Sequence, residues 1–281
     1  MNRGGRNDGF ALLFVAGHRK GRLSEDRSQG NDLAAGTGFC MGRSEMLDTR
    51  EHLAIRDFEQ VGICLIPDVL PERHLAPLRG AIDECVARGP GNRTFGLPPL
   101  GDGGLDLRAL LGDLACRLAG APARLVRILA FDKTPSANWG VPWHQDRTVA
   151  VKRRETVDGF GPWSVKAGVP HVEPPQILLE AMFSLRLHLD DCGTDNGPLK
   201  IIPGSHLLGR LPVREVLDLG TRLPATTCTA SAGDVLAMKA LTVHASDAAA
   251  APAHRRVLHL DFTIADLPAP LQWAVDADLP A

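Results

Sequence analysis

Short runs of alternating apolar and polar residues dominate the chain from about residue 123 onward. A strand points successive side chains to opposite faces of its sheet, so such alternation is typical of strands with one buried face. Turn signals such as GTDNGP and SAGD separate the runs. Many short strands with this spacing favour a sandwich or a barrel. The strand candidates are ARLVRILAF (123–131), RTVAV (147–151), MFSLRLHLDD (182–191), LKIIPGSH (199–206), DVLAMKALTVHAS (234–246) and RRVLHLDFTI (255–264).

Helical patterns precede these strands. Asp48, with Glu51 three residues later, predicts the start of a helix, and Gly62 predicts its end. Pro71 opens a second helix, whose apolar positions recur every three or four residues, and residues 106–120 predict a third. The run ICLIPDVL between the first two helices is typical of a strand. Because apolar helix stripes need a surface to cover, the predicted fold class is mainly β with helices flanking one face.

The first part of the chain has a different character. Residues 1–45 are rich in Gly, Arg, Asn, Asp and Ser and show little periodicity, which predicts a disordered tail. Alternatively, Met46 is the true start, and the preceding residues are an artefact of gene prediction. In both cases residues 46–281 form the folded domain. The apolar run FALLFVAG (10–17) is too short to span a membrane.

Composition narrows the class of function. The net charge of −2 and the pI of about 6.5 suggest neither a nucleic acid nor a membrane surface as the main partner. The six cysteines are widely spaced and form no CxxC pair, so a reduced, cytoplasmic protein is favoured over a disulfide scaffold. The oligomeric state does not follow from the sequence.

One long segment, residues 152–175, lacks an obvious strand pattern. It combines glycines and prolines with Phe160 and Trp163. Loops of this length in compact domains are usually lids or binding loops. We therefore expect this segment to close over a substrate and to exclude water.

Ligand-type side chains occur in two of the strand candidates. In WGVPWHQDRTVAV (139–151), His144 and Asp146 lie two residues apart and therefore face the same side. Much further along the chain, His244 and Ser246 share a side for the same reason. Two antiparallel strands joined by DAAAAPAH would then bring Arg255 back beside His244.

The alternation in RRVLHLDF divides its residues between two faces. The face that should pack under the helices carries Arg256, Leu258, Leu260 and Phe262. The opposite, inward face carries Arg255, Val257, His259 and Asp261. A polar inward face places an arginine inside the barrel, near the candidate ligands.

Two imidazoles and one carboxylate can bind one side of a metal ion. This 2-His-1-carboxylate arrangement leaves half of an octahedral Fe(II) open for oxygen and a substrate. A guanidinium group binds carboxylates through two parallel hydrogen bonds. Arg255, with the Ser246 hydroxyl, therefore suits a dicarboxylate cosubstrate that chelates iron with its other end.

The order His-x-Asp, distant His, then Arg resembles that of Fe(II)/2-oxoglutarate-dependent dioxygenases. WHQD together with DDCGTDNGPLKIIPGSH (190–206) resembles the phytanoyl-CoA dioxygenase family in particular, over roughly residues 50–275. The resemblance implies a double-stranded β-helix (jelly roll, cupin-like) in which O2 hydroxylates a small molecule while 2-oxoglutarate becomes succinate and CO2. It assigns Fe(II) to His144, Asp146 and His244. It assigns the distal carboxylate of 2-oxoglutarate to Arg255 and Ser246.

The chain departs from the family pattern in one place. The family often carries an aromatic residue near the cosubstrate, where this chain reads LRLHLDD. By parity, Arg186 and His188 point inward with Asp190, whereas the leucines between them form the apolar face. Arg186 is then either a contact to the cosubstrate or to an anionic substrate, or part of a structural ion pair.

Four neighbouring candidates have less distinctive patterns. Asn138 is a candidate contact to the cosubstrate or substrate, whereas Lys133 is interpreted as a solvated lysine in a turn. His206 ranks below His244 as the distal ligand because no arginine follows it at the matching spacing, and we expect it to cap a loop. Trp143 should face away from the metal and pack in the core.

Two other classes of function remain open on the residues alone. A zinc or manganese hydrolase or isomerase on a cupin barrel would use the same ligands, but it needs no dicarboxylate anchor at Arg255. A non-catalytic cupin-like binding protein would need no intact triad. The leading hypothesis is a dioxygenase, and the carboxylate of Asp146 favours hydroxylation or desaturation over halogenation.

Overall fold

The computed structural model describes residues 49–86, 92–94 and 105–275. The expectations for residues 1–45, including the run FALLFVAG, fall outside the described residues and stay predictions. The helices are α1 (Thr49–Gln60), α2 (Glu72–Val86), α3 (Leu107–Ala119), α4 (Gln176–Glu180) and α5 (Val213–Arg222), with a 3-10 turn at Ser205–Leu208. The strands are β1 (Ile63–Ile66), β2 (Asn92–Thr94), β3 (Arg124–Lys133), β4 (Val141–His144), β5 (Val149–Ala150), β6 (Trp163–Lys166), β7 (Val169–Val172), β8 (Met182–His188), β9 (Leu199–Ile201), β10 (Thr226–Cys228), β11 (Val235–Lys239), β12 (His244–Ser246) and β13 (Arg255–Thr263).

The strands form three antiparallel sheets. A six-stranded major sheet has the order β1-β11-β8-β13-β3-β2, and a four-stranded minor sheet has the order β10-β9-β12-β4. A three-stranded sheet, β5-β7-β6, is formed by the part of the chain between β4 and β8. The predicted jelly roll, mainly β with flanking helices, is confirmed.

The two larger sheets pack face to face. One apolar cluster joins Leu236 and Met238 of the major sheet to Leu199, Ile201 and Cys228 of the minor sheet. Side chains from two inner faces that interdigitate in this way form the core of a β-sandwich. Apolar side chains therefore fill part of the space between the two sheets.

The N-terminal helices cover the outer face of the major sheet, as predicted. Leu75, Leu78 and Ile82 of α2 belong to the same buried cluster as the sheet residues Leu258 and Leu260. The helix starts and stops also match the sequence pattern. The Asp106 carboxylate accepts a hydrogen bond from the Ala109 N–H (2.9 Å) at the start of α3, and Gly120 ends that helix with a φ of 61°.

The segment 152–175 differs from its prediction. Residues 163–172 form the hairpin β6–β7, with the turn at Ala167 and Gly168, whose φ angles are 49° and 80°. Phe160 and Trp163 pack against a buried cluster that includes Trp273. The expectation of a long segment without strands is therefore wrong, because the short alternation in WSVKAGVPHV was hidden by its glycine and proline.

The predicted pairing of the strands carrying His244 and Arg255 is also wrong. β12 pairs with β4 and β9 in the minor sheet, whereas β13 pairs with β3 and β8 in the major sheet. Residues 247–254 cross between the sheets instead of closing a hairpin. Adjacency in sequence favours hairpins, but it does not determine which sheet a strand joins.

Two helices, α4 and α5, were not foreseen by the sequence pattern. Each follows a proline, Pro175 and Pro212, at its N-terminus. In the part of the chain that the structure describes, no helix combines the length and the apolar character that a membrane crossing requires.

Candidate metal centre

Two neighbouring strands of the minor sheet bring the candidate ligands together. His144 ends β4 and lies directly opposite His244 of β12 in the antiparallel register. Asp146 follows β4, and its backbone N–H donates to the Ala240 carbonyl at 3.0 Å. One donor atom from each of His144, Asp146 and His244 lies within 4.8 Å of the others. The three predicted ligands therefore form one group.

Each histidine is oriented through its Nδ1 atom. His144 Nδ1 lies 2.8 Å from the Pro142 carbonyl oxygen, and His244 Nδ1 lies 2.8 Å from the Thr242 carbonyl oxygen. An Nδ1–H that donates to a carbonyl leaves Nε2 as the unprotonated donor, which is how proteins commonly present a histidine to a metal. His244 Nε2 lies 3.9 Å from the Asp146 carboxylate. The donor set fits a divalent metal.

The Gln145 side chain, which lies between two candidate ligands in the sequence, holds the His144–Asp146 segment in place. Its buried amide donates to the Gly209 and Leu241 carbonyls (2.9 and 2.7 Å) and accepts from the Leu211 N–H (2.9 Å). These bonds are made by the Gln145 side chain, so they fix His144 and Asp146 without using a ligand atom. The sequence prediction missed this role, although alternation indicates that residue 145 faces the opposite side.

Charges around the triad favour the protonation states that bind metal. Burial would raise the pKa of Asp146, but His244 in its protonated form and the permanently charged Arg127 lower it below the usual value. Burial and the neighbouring His144 lower the pKa of His244 to about 3. A carboxylate and neutral imidazoles are the forms that coordinate metal ions.

The inward face of the major sheet carries polar residues on three adjacent strands. Cα register places Arg255 opposite Lys133, and His188 opposite Val257. Further along the sheet, Arg186 lies opposite His259, and Asp261 lies between Ser184 and Arg127. The predicted inward face of β13 is confirmed, since Leu258, Leu260 and Phe262 lie in the opposite, helix-covered cluster.

Arg255 and Arg256 point to opposite sides, as parity predicts. Arg255 is 5% exposed, and its Nη1 donates to the Gly197 carbonyl, whereas its buried Nε has no partner among the described residues. Arg256 instead pairs with Asp83 of α2 at 2.6 Å and with Asp190 at 2.9 Å. This also corrects the placement of Asp190, which faces the helices because β8 ends at His188 and strand parity no longer applies.

Lys133 is the clearest error of the sequence interpretation. Instead of a solvated turn residue, it is fully buried at the end of β3. Its Nζ donates to the Asp247 carbonyl at 2.6 Å and to the Ser246 hydroxyl at 3.3 Å. Lys133 has the same strand parity as Arg127, and that parity was the available signal. Ser246 is thus placed beside a cation on the inward side.

A connected set of polar groups crosses the inward face from Arg186 to Arg127. Arg186 Nη1 lies 2.9 Å from His259 Nδ1, and His259 Nε2 lies 2.8 Å from the Asp261 carboxylate, which pairs with Arg127. Both ring nitrogens of His188 are buried without a partner among the described residues. Burial, Arg186 and Arg255 lower the pKa of His188 to about 3, so this ring is neutral.

Asn138 and His206 have other contacts. The Asn138 amide donates to the Ala249 carbonyl (3.0 Å) and accepts from the Ala249 N–H (2.8 Å), so it holds the segment that follows β12. Its contact to a cosubstrate stays a prediction. His206 lies in the 3-10 turn, where its Nε2 is 3.0 Å from the Glu59 carbonyl oxygen. Trp143 packs on an apolar cluster with Val216 and Val243, away from the donor atoms as expected.

The fold and the grouped donor atoms define a jelly-roll protein with a candidate metal centre. The sequence profile of the family described as phytanoyl-CoA dioxygenase (PhyH) matches residues 104–257, more than half of the chain. The chain therefore belongs to the phytanoyl-CoA dioxygenase family, whose enzymes depend on Fe(II), 2-oxoglutarate and O2. A comparison with curated proteins finds no match.

Solved structures with the same fold are similar over most of their length. The non-heme α-ketoglutarate-dependent carbocyclase SnoK from nogalamycin biosynthesis is 21% identical with a TM-score of 0.58, covering 83% of this chain and 89% of SnoK. The apo form of EctD from S. alaskensis is 17% identical with a TM-score of 0.58, covering 84% and 89%. The epimerase SnoN, solved with Fe3+, α-ketoglutarate and nogalamycin RO, is 19% identical with a TM-score of 0.55, covering 79% and 91%.

Proposed function

We propose that the chain is an Fe(II)- and 2-oxoglutarate-dependent dioxygenase that hydroxylates a small molecule, with His144, Asp146 and His244 as its iron ligands. The observation that carries this proposal is the grouping of two imidazole nitrogens and one carboxylate oxygen within 4.8 Å, with a buried arginine on the facing sheet. When bound, iron with 2-oxoglutarate and O2 supplies the oxidising power, and succinate and CO2 are released.

In this proposal the distal carboxylate of 2-oxoglutarate binds Arg255 and Ser246. The buried Arg255 Nε lacks a partner among the described residues, which is the state expected of a donor that awaits an anion. Nearby Cys192 gives Arg255 no counter-charge, because burial raises the pKa of that thiol. Arg186 and Asn138 are proposed as further cosubstrate contacts, Arg186 because its buried Nε is also without a partner.

The proposal includes a cytoplasmic location and a small-molecule substrate. Cys64, Cys116, Cys192 and Cys228 are all free thiols, as expected of a reducing compartment. SnoK is a carbocyclase and SnoN is an epimerase, so enzymes with this fold have outcomes other than hydroxylation. A substrate screen should therefore record the mass of the product as well as succinate.

The proposed function is tested by adding Fe(II) and 2-oxoglutarate to the protein without oxygen. Chelation of iron by the cosubstrate in one site produces a weak visible charge-transfer band. We expect the band in the wild-type protein and its absence in His244→Ala. A zinc hydrolase or a non-catalytic binding protein gives no such band, and its absence from the wild-type protein would contradict the proposal.

A further inference from the structure

A small polar cavity adjoins the candidate metal centre, at the end of the inward face that lies away from Arg255. Its volume of about 10 Å³ is close to the space that one water molecule needs. Arg127, Asp146, Ser184 and Asp261 all contribute to its wall. Because Asp261 lies six residues beyond Arg255 on β13, roughly 20 Å at the usual rise of a strand, the cavity is separate from the proposed cosubstrate anchor.

Three neighbouring strands place the polar groups of this wall in one row. Cα register sets Asp261 of β13 opposite Arg127 of β3 on one side and opposite Ser184 of β8 on the other. One oxygen of the Asp261 carboxylate accepts a hydrogen bond from Arg127 Nε, and the other lies 2.8 Å from His259 Nε2. Both oxygens of Asp261 are therefore engaged, and they hold the Arg127 guanidinium at a fixed place in the sheet.

Hydrogen-bond donors remain on both sides of Asp261. With the described residues, Arg127 forms hydrogen bonds through Nε alone, so its four terminal N–H groups are available. Ser184 is 3% exposed, and its buried hydroxyl has no partner in the described part of the chain. Buried polar atoms normally have a hydrogen-bond partner, so these donors indicate that the cavity holds a polar group.

Asp146 supplies the acceptor on the opposite wall of the cavity. Its carboxylate lies 3.9 Å from His244 Nε2 and accepts no hydrogen bond from the described residues. Burial opposes the change, but Asp261 and then Asp146 raise the pKa of Arg127, so the three charges are close enough to interact. Carboxylates that bind metals are usually held in turn by hydrogen bonds from outer partners.

We propose that Arg127, held by Asp261, is a positioning residue for the metal ligand Asp146, and that one water molecule in the cavity joins its guanidinium and the Ser184 hydroxyl to the Asp146 carboxylate. This inference rests on the proposed function. A buried water typically makes about three hydrogen bonds, and these three groups supply them. An ion pair that served the fold alone would leave Ser184 and the terminal nitrogens of Arg127 without a role.

The affinity for iron measures this role without turnover. The dissociation constant for Fe(II) is measured without oxygen by competition with a chelator, and circular dichroism checks that each variant is folded. We expect Arg127→Met to weaken Fe(II) binding by about ten- to a hundredfold, the usual effect of losing an outer partner of a metal ligand. Arg127→Lys should recover part of the affinity, because an ammonium group can still donate to the water. Ser184→Ala should weaken binding by about two- to tenfold, the range of one neutral hydrogen bond.

A double-variant cycle separates positioning through a shared water from a general loss of stability. If Arg127 and Ser184 act through the same water, Ser184→Ala should have little further effect once Arg127 is replaced. Independent structural effects would add instead. Arg127→Met leaves the Asp261 carboxylate buried without its cation, so the pair of changes Arg127→Met and Asp261→Asn replaces it if the single variant does not fold.

Arg256→Met is the matched control. Arg256 lies on the same strand as Asp261 and also forms ion pairs, with Asp83 and Asp190, but it faces the helices. Its loss should reduce stability and leave the dissociation constant for Fe(II) unchanged.

The outcomes distinguish this inference from the proposed function. A wild-type protein that does not bind Fe(II) overturns the proposed function itself. A wild-type protein that binds Fe(II), with folded Arg127 and Ser184 variants that bind it equally well, overturns only the positioning role. Equal losses in Arg256→Met, or additive losses in the double variant, also overturn it. Coupled losses confined to the Arg127 and Ser184 variants support it.

Discussion

The two faces of the major sheet are built from the same strands but contrast in chemistry. On β8 and β13, Leu185, Leu187, Leu258 and Leu260 pack under the helices, while the residues between them point inward. Packing against the helices thus explains why every second residue of these strands is apolar. The inward positions hold arginines and histidines, several of whose buried nitrogens have no partner among the described residues.

This contrast shows how the chain divides folding from chemistry. Buried polar groups without partners cost stability, so a face that carries several of them is not selected for folding. Such groups are preorganised for a ligand that restores their hydrogen bonds. Under the proposed function, the outer face stabilises a sheet whose inner face binds the anionic cosubstrate, opposite the minor sheet that carries the candidate metal ligands.

The largest effect should come from the metal ligands on the inner side of the fold. His144→Ala, Asp146→Ala and His244→Ala each remove one of three donors, so iron is held weakly and turnover should fall at least about a thousandfold. The fold should survive, because these side chains do not belong to an apolar cluster. Iron content and circular dichroism check both parts. Wild-type iron content in His244→Ala would contradict the assignment of that ligand.

A substitution on the outer face should reduce stability and leave cosubstrate binding unchanged. Leu258→Ala leaves a cavity between β13 and the helices and should lower the free energy of unfolding by about 2–5 kcal/mol. The dissociation constant for 2-oxoglutarate should stay within about twofold for the folded protein, since one strand separates that cavity from the inner face. Chemical denaturation and calorimetry give the two numbers. A selective loss of cosubstrate binding would contradict the view that the outer face serves stability and the inner face serves binding.

Arg255 and Arg256 test the same contrast with adjacent residues. Arg255→Met should raise the apparent 2-oxoglutarate constant by about ten- to a hundredfold and leave iron binding unchanged. Arg255→Lys should fall between, because an ammonium keeps the charge but loses the paired hydrogen bonds. Arg256→Met should change cosubstrate affinity little and instead reduce stability, since it breaks the contacts to Asp83 and Asp190. Succinate formation against cosubstrate concentration measures these effects. If Arg256→Met weakened cosubstrate binding and Arg255→Met did not, the assignment of the two strand faces would be wrong by one residue.

The smallest effect concerns His188 and pH. Its folded pKa of about 3 lies below the ordinary histidine value of 6.5, so the unfolded chain binds more protons between these values. Its contribution to stability is therefore lost as the pH falls from about 6.5 toward 3, by at most about 1.4 kcal/mol per pH unit. His188→Leu should remove this slope and raise the melting temperature of the metal-free protein at pH 7. Equal pH slopes for wild type and variant in thermal melts would contradict the buried, neutral state.

Alternation was a sufficient guide where strands are long and one face is apolar. It placed Arg186, His188, Arg255 and His259 correctly because β8 and β13 each run for many residues between a helix layer and the barrel interior. It failed at Asp190, two residues past the end of β8. Lys133 was misjudged because the turn signal in the following residues was given more weight than the strand before it.

The pairing of strands was harder to predict than the side of the sheet on which each residue lies. The pairing of β12 with β4 brings His244 opposite His144, and this depends on long-range packing between the two sheets. Local sequence favoured a hairpin from His244 to Arg255 because that loop is short. The resemblance to a family supplied the triad, whereas the contacts of Gln145 and Lys133 required the coordinates.

Gln145 has a consequence for how the protein acquires its metal. Its three hydrogen bonds to the backbone at Gly209, Leu211 and Leu241 fasten the His144–Asp146 segment to distant parts of the chain. The ligands are thus held in position by the polypeptide, in contrast to zinc fingers, which fold only around their ion. We expect iron to exchange with the surrounding medium as a reversible ligand, so that a chelator empties the protein and later addition of Fe(II) restores it without a refolding step.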